Sequence, residues 1–324
     1  MSGGVRRAAT AALRTGLVRS AVMALARLRG HRLVLVYHRV GDPLPPECEI
    51  VPSVPVDVFR RQIQALGEVA DLVSLDRLVD EAETRTPAAR VHRPMVAVTF
   101  DDDLPSHAQQ ALPVLREHRV PATFFLSGRS LHGLGAYWFQ QLEALLLAHG
   151  PVRTAALLQA AAMTTRDLVR ECEGNARVCR RVSELAASLP APAVLGSDGI
   201  SALAAGGMTI GFHTVDHEVL PLLDDPGLRH AVSNGRAELA AAAGASVRYF
   251  AYPHGRTDGR SAAAVRDAGF RAAFTGVPSP SRAGADAFRI GRWEPGPIAV
   301  DELLVKLAVR MHRTARPRRG GPAA

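Results

Sequence analysis

Apolar residues fall along the chain in short runs separated by amphipathic stretches, the pattern of strands alternating with helices. The run Leu33-Val34-Leu35-Val36-Tyr37 reads as a buried strand that ends at His38. Residues 41–55 are rich in Pro and acid and read as a loop. Asp57 then opens a helix to Val69, with Val58, Ile63, Leu66 and Val69 at near-helical spacing. Residues 72–75 form a short strand candidate, Asp76 an N-cap for a helix to Glu83, and 84–94 a Pro/Arg linker. The strand predicted over 95–100 runs straight into Asp101, Asp102 and Asp103. A helical pattern over 106–118 and a strand over 122–126 complete a β-α-β unit, which implies parallel strands with both faces covered. Residues 136–189 show helical patterns only and read as an insertion. Alternation resumes with a strand at 208–212, a helix over 226–243 and a strand at 247–250. A helix at 259–268, strands at 271–275 and 287–291, and a last helix over 300–313 follow. This many β-α units predict a barrel or an open wound sheet.

Composition sharpens that picture in a few places. Of 324 residues, 47% are hydrophobic, enough for a large core, and no apolar stretch is long enough to cross a bilayer. The net charge of +8 is unevenly spread. Residues 1–41 hold eight Arg and no acid, and six basic residues lie from Lys306 onward, leaving 25 basic against 31 acidic residues between them. The body is therefore mildly acidic with basic ends. Basic residues are not interleaved with aromatics on one element, which argues against a nucleic-acid surface. The basic amino end offers peripheral contact with anionic lipid, or else a solvated segment. Three cysteines (Cys48, Cys172, Cys179) are too few and too oddly spaced for a disulfide framework. With no signal-type apolar run near the start, a cytoplasmic or membrane-peripheral location is expected. Oligomeric state is not readable.

The polar clusters fall directly after strands. Asp101-Asp102-Asp103 follows one, His213-Thr214-Val215-Asp216-His217 a second and Tyr252-Pro253-His254-Gly255 a third. In parallel α/β architectures the loops beyond the strand carboxyl ends converge on one face. Two imidazoles and several carboxylates would therefore meet at one mouth, a donor set suited to a metal. Taken singly, each cluster also has a plain reading: a helix-start charge cluster, a solvated histidine, a turn.

Thr99-Phe100-Asp101-Asp102, the His213–His217 segment and Phe250-Ala251-Tyr252-Pro253-His254-Gly255, in this order, together resemble the polysaccharide deacetylase family of NodB-homology enzymes. Pro121-Ala122-Thr123-Phe124-Phe125-Leu126 and Ala268-Gly269-Phe270 match the family's supporting phrases. The resemblance covers about residues 33–300. It implies a distorted (β/α) barrel of about seven parallel strands, NodB-like, here with a helical insertion. The domain plan is then a basic segment 1–31, a deacetylase domain 32–300 interrupted at 136–189, and a helix with basic tail at 301–324.

Carried over position by position, the resemblance makes Asp102, His213 and His217 the ligands of a divalent metal, zinc first, with cobalt, nickel or manganese as alternatives. It makes Asp101 the general base and the backbone N–H of His254 an oxyanion donor. The chain also departs from the family. Asp103 stands where Gly is usual, where it could crowd the metal, and Ala251 stands where Arg is usual. Arg289 or Arg292 is then the candidate cation for Asp101. The family's late Leu-x-His is absent, so His254 and His38 are the candidate general acids, with His107 better read as a helix residue. Tyr252, Pro253, Trp293 and Arg292 are expected at the substrate, the aromatics as a floor for sugar C–H groups.

The function these readings predict is metal-dependent removal of N-acetyl groups from N-acetylhexosamine units of a polysaccharide, oligosaccharide or lipid-linked precursor. A hydrolase of a non-sugar amide, and a catalytically silent carbohydrate-binding barrel, are the alternatives.

Overall fold

The strands are short, apolar on both faces and each followed by helical or loop cover, so a closed parallel sheet is the arrangement that buries them all. A computed structural model of the protein describes residues 20, 32–83, 93–161, 164–278 and 285–313. The basic amino segment, most of the 84–94 linker and the basic tail beyond residue 313 thus lie outside the described residues. The barrel strands are β1 (Arg32–Tyr37), β2 (Met95–Asp101), β3 (Ala122–Leu126), β4 (Thr209–Phe212), β5 (Tyr249–Ala251), β6 (Ala272–Thr275) and β7 (Ile290–Trp293). Each pairs in parallel with its sequence neighbour, and β1 pairs with both β7 and β2, which closes the ring. The expected seven-stranded barrel is the observed fold.

Side chains alternate between two layers. Val34 of β1, Ala97 of β2, Phe125 of β3, Ala251 of β5, Phe274 of β6 and Ile290 of β7 belong to one buried cluster, which fills the barrel. Their neighbours Leu35, Val98, Phe124, Phe250, Ala273 and Trp293 belong to a larger cluster with the surrounding helices. Continuing this two-residue period to the strand ends gives Asp101 the parity of Ala97, and Arg292 that of Ile290. Both therefore point into the barrel. Register lines up the ends, since Tyr37 sits opposite Phe100, Phe100 opposite Phe124 and Leu126 opposite Phe212. At the other end, Asp76 on the helix Leu75–Glu83 accepts from Arg248, the Tyr249 hydroxyl and Arg271.

Local departures from expectation have local causes. The helix expected over 106–118 begins as a π-helical turn, His107–Ala111, before the α-helix Leu112–Glu117. The helix expected over 226–243 is two, Asp225–Ala231 and Arg236–Ala243, because Gly235 takes φ 82° between them. Ser74, not Asp76, accepts an amide at the start of the helix Leu75–Glu83. The insertion is helical, as expected: Trp138–Leu158, broken in two at Gly150 (φ 73°) before Pro151, then Thr165–Gly174 and Ala176–Ala186. They bury a core of their own, with Leu142, Leu146, Leu168, Cys172 and Val182, which also takes in Cys48 from the loop after β1. Glu143 joins insert to loop, accepting from the Ile50 and Val51 amides at 2.8 Å and pairing with Arg39.

Candidate active site

At the carboxyl rim, β2 delivers Asp101 and Asp102, the loop after β4 delivers His213 and His217, and all four are buried or nearly so. Asp102 takes φ 70°, a left-handed conformation that Asp tolerates better than most residues. Thr214, His217 and His254 are left-handed too, at 55°, 54° and 57°. Four of the six such non-glycine residues described are therefore at the site, where backbone strain tends to collect.

His213 Nδ1 lies 2.8 Å from the Ala251 carbonyl, to which it must donate, so Nε2 carries the lone pair. That Nε2 is 3.7 Å from Asp102 Oδ1, and His217 Nε2 is 3.5 Å from the same oxygen. Asp102 Oδ1 is buried without a hydrogen-bond partner among the described residues. The three residues each offer one ligand atom, all within 4.8 Å of one another. A buried, unpartnered carboxylate oxygen facing two imidazole nitrogens fits a divalent cation. The electrostatics agree. Burial, with Asp101 and Asp103 close by, pushes Asp102 up to about 7. Burial takes His213 down to about 4 and His217 well below its ordinary value, so both imidazoles are neutral, as ligation requires.

Asp101 stands differently. Arg292 grips it with two hydrogen bonds of 2.6 Å, one to each oxygen, with both groups buried. Burial alone would raise Asp101, but the guanidinium and His213 outweigh it and bring it to about 2. Arg292 is thus the cation that orients Asp101, whereas Arg289 lies at the surface near Asp286.

Asp103 does not crowd this centre. Its carboxylate turns to the loop after β3, accepting from the Ser127 amide (2.8 Å), the Ser127 hydroxyl (2.5 Å) and the Arg129 amide (3.2 Å). The left-handed residue is Asp102, so a side chain at 103 carries no conformational penalty.

His38, with the inward parity of Val34, meets Glu294 at 2.9 Å just beyond β7. Burial opposes its charge, but the Glu294 carboxylate and the two aspartates hold it up at about 9. His254 Nδ1 lies 3.2 Å from Glu173 of the insert, and its ring packs edge-on against His217, centroids 4.5 Å apart. His107 is fully buried against Phe100 and Phe124, its Nε2 3.2 Å from the His38 carbonyl.

The residues expected at the substrate are placed otherwise. Tyr252 and Trp293 have the outward parity of Phe250 and Leu35, are buried among the helices, and offer no open face. The Tyr252 hydroxyl donates to the Phe288 carbonyl, and Arg310 stacks over the Trp293 ring. Pro253 is buried, and Arg292 is spent on Asp101. Aromatic residues that do border the site, Tyr137 and Phe139, open the insert and pack on His217 at 5.4 and 5.2 Å. Sequence spacing gave no sign of them.

The family model described as polysaccharide deacetylase matches residues 88–273. No curated protein matches the chain. Among solved structures, it is similar to a Streptococcus pyogenes deacetylase, PplD, in complex with acetate, at 16% identity and TM-score 0.60 over 86% of this chain and 98% of that one. IcaB from Ammonifex degensii is 21% identical with TM-score 0.56, over 87% and 97%. A de-N-acetylase from Aggregatibacter actinomycetemcomitans is 16% identical with TM-score 0.55, over 86% and 99%. At these identities the structural likeness speaks for the fold.

Proposed function

We propose that this chain, which belongs to the polysaccharide deacetylase family, is a metal-dependent carbohydrate N-deacetylase. Its substrate would be an N-acetylhexosamine unit in a polysaccharide, oligosaccharide or lipid-linked precursor, and its products acetate and a free amine. The observation that carries the reading is the pairing of two unlike carboxylates: Asp102, unpartnered among imidazoles, beside Asp101, locked by Arg292.

Asp102, His213 and His217 would hold the metal, and zinc suits two neutral imidazoles and a carboxylate, with cobalt, nickel or manganese also compatible. Bound there, it would supply Lewis acidity to polarise the amide carbonyl and lower the pKa of a water. Asp101, ionised at neutral pH and fixed by Arg292, accepts the proton of the attacking water. His38, protonated at neutral pH through Glu294, gives a proton to the departing amine, the role left vacant by the missing Leu-x-His. The His254 amide, at a left-handed turn beside the site, is the donor we assign to the oxyanion.

Two departures from the family pattern, at 103 and 251, would favour a silent barrel, but their surroundings are compatible with activity. Asp103 bonds the β3 loop, and Arg292 replaces the arginine absent at 251. The test is acetate release by metal-loaded and metal-stripped protein from N-acetylglucosamine oligomers, a lipid-linked acetamido sugar and simple non-sugar acetamides. Metal-dependent release from the sugars supports the proposal. Release from non-sugar amides alone, or from none of the panel, contradicts it.

A further inference from the structure

Ligating histidines are normally oriented by a hydrogen bond from their second ring nitrogen. His213 has one, to the Ala251 carbonyl, but His217 Nδ1 is buried with no partner among the described residues. His217 also sits at φ 54°, outside the backbone well that most residues prefer. What orients this imidazole is packing, and much of that packing comes from the insert. Tyr137 and Phe139, stacked on each other at 4.9 Å, border one part of the ring. His254 borders another at 4.5 Å and also meets the His217 backbone. His254 is in turn held at Nδ1 by Glu173.

Glu173 is well placed to bear this load. It lies at the end of the helix Thr165–Gly174, next to Cys172, which is buried in the insert's own core. At the helix start, the Thr165 hydroxyl donates to the Glu47 carbonyl in the loop after β1. The loops after β1 and β5 stand on opposite sides of the seven-strand ring. This ten-residue helix, about 15 Å long by its rise per residue, is thus tied near one end to the loop after β1 and near the other to His254 in the loop after β5.

We propose that Glu173 is a positioning residue for the metal centre: through His254 it holds the His217 imidazole in place, which makes the helical insert a working part of the site. This rests on the reading of Asp102, His213 and His217 as metal ligands. Outer partners of ligating histidines shift metal affinity by about 10–100-fold. Glu173 acts one group further out and through ring packing rather than a hydrogen bond to the His217 ring, so an effect no larger than the lower end of that range is expected. Gln at 173 can pair with either protonation state of His254 and should substitute.

The experiment measures zinc affinity by competition with a chromogenic chelator on the full chain, for wild type, Glu173→Ala, Glu173→Gln and His213→Ala. The melting temperature of each metal-free protein is recorded alongside. Zinc binding about tenfold weaker in Glu173→Ala, near wild type in Glu173→Gln and with unchanged metal-free melting supports the inference. A Glu173→Ala protein that binds zinc as tightly as wild type overturns it alone. So does weaker binding that merely follows a lowered metal-free melting temperature. A wild type that binds none of zinc, cobalt, nickel or manganese overturns the metal reading, and this inference with it.

Discussion

Replacing Arg292 by Ala would leave the Asp101 carboxylate, 3% exposed, without its cation. The lost contacts are the two 2.6 Å hydrogen bonds, one on each carboxylate oxygen. Removing one partner of a buried ion pair costs about 3–5 kcal/mol, a large part of the roughly 5–15 kcal/mol by which such domains are stable. The sign of the pH effect follows from the same pair. Asp101 is held at about 2, below its ordinary 3.8, so the pair stabilises the fold above pH 3.8 and that stability is lost as pH falls through about 2. Without Arg292, burial dominates and Asp101 titrates upward, so the acid limb of kcat/KM moves to higher pH. The double variant Asp101→Leu/Arg292→Met removes both charges and leaves no unpartnered polar group, so it should regain most of the lost stability while staying inactive, because the base is gone. The assay pairs urea unfolding at pH 7 with a pH–rate profile of the acetate-releasing reaction. An Arg292→Ala protein with wild-type unfolding and a wild-type profile would refute the reasoning.

Glu294→Gln should bring His38 down from about 9 toward its ordinary 6.5, shifting the alkaline limb of kcat/KM to lower pH. The His38–Glu294 pair stabilises the fold fully below pH 6.5 and loses that contribution as pH rises through about 9, which thermal melts across pH can follow. Asp103→Gly, which restores the usual family residue, should destabilise by about 2–3 kcal/mol through loss of bonds to Ser127 and Arg129. It should not raise turnover, and a clear gain in activity would show that Asp103 does obstruct the site.

What could be read in advance was local and periodic. Polar clusters following apolar runs located the rim, and two-residue alternation carries Asp101, His213 and Arg292 inward. The same alternation, applied to 249–252 and 290–293, would have turned Tyr252 and Trp293 outward, away from any sugar. Their identity as aromatics outweighed their parity. Arg289 and Arg292 are both candidates for the Asp101 cation on sequence alone, and only the fold separates them; Arg292, also expected at the substrate, is instead buried against both Asp101 oxygens. Asp103, Glu173, Tyr137 and Phe139 were not legible, because their partners lie in loops and an insert whose docking no local spacing encodes. The same holds for Glu294, whose meaning depends on His38, 256 positions away.

The most direct test of the account is metal content and acetate release measured on the same preparations of wild type and His213→Ala. The account predicts about one divalent ion per wild-type chain, acetate release from an acetamido sugar that disappears on chelation and returns on reloading, and neither metal nor release in the variant. A wild type that releases acetate equally well with and without metal, or that never takes up stoichiometric metal, would contradict it.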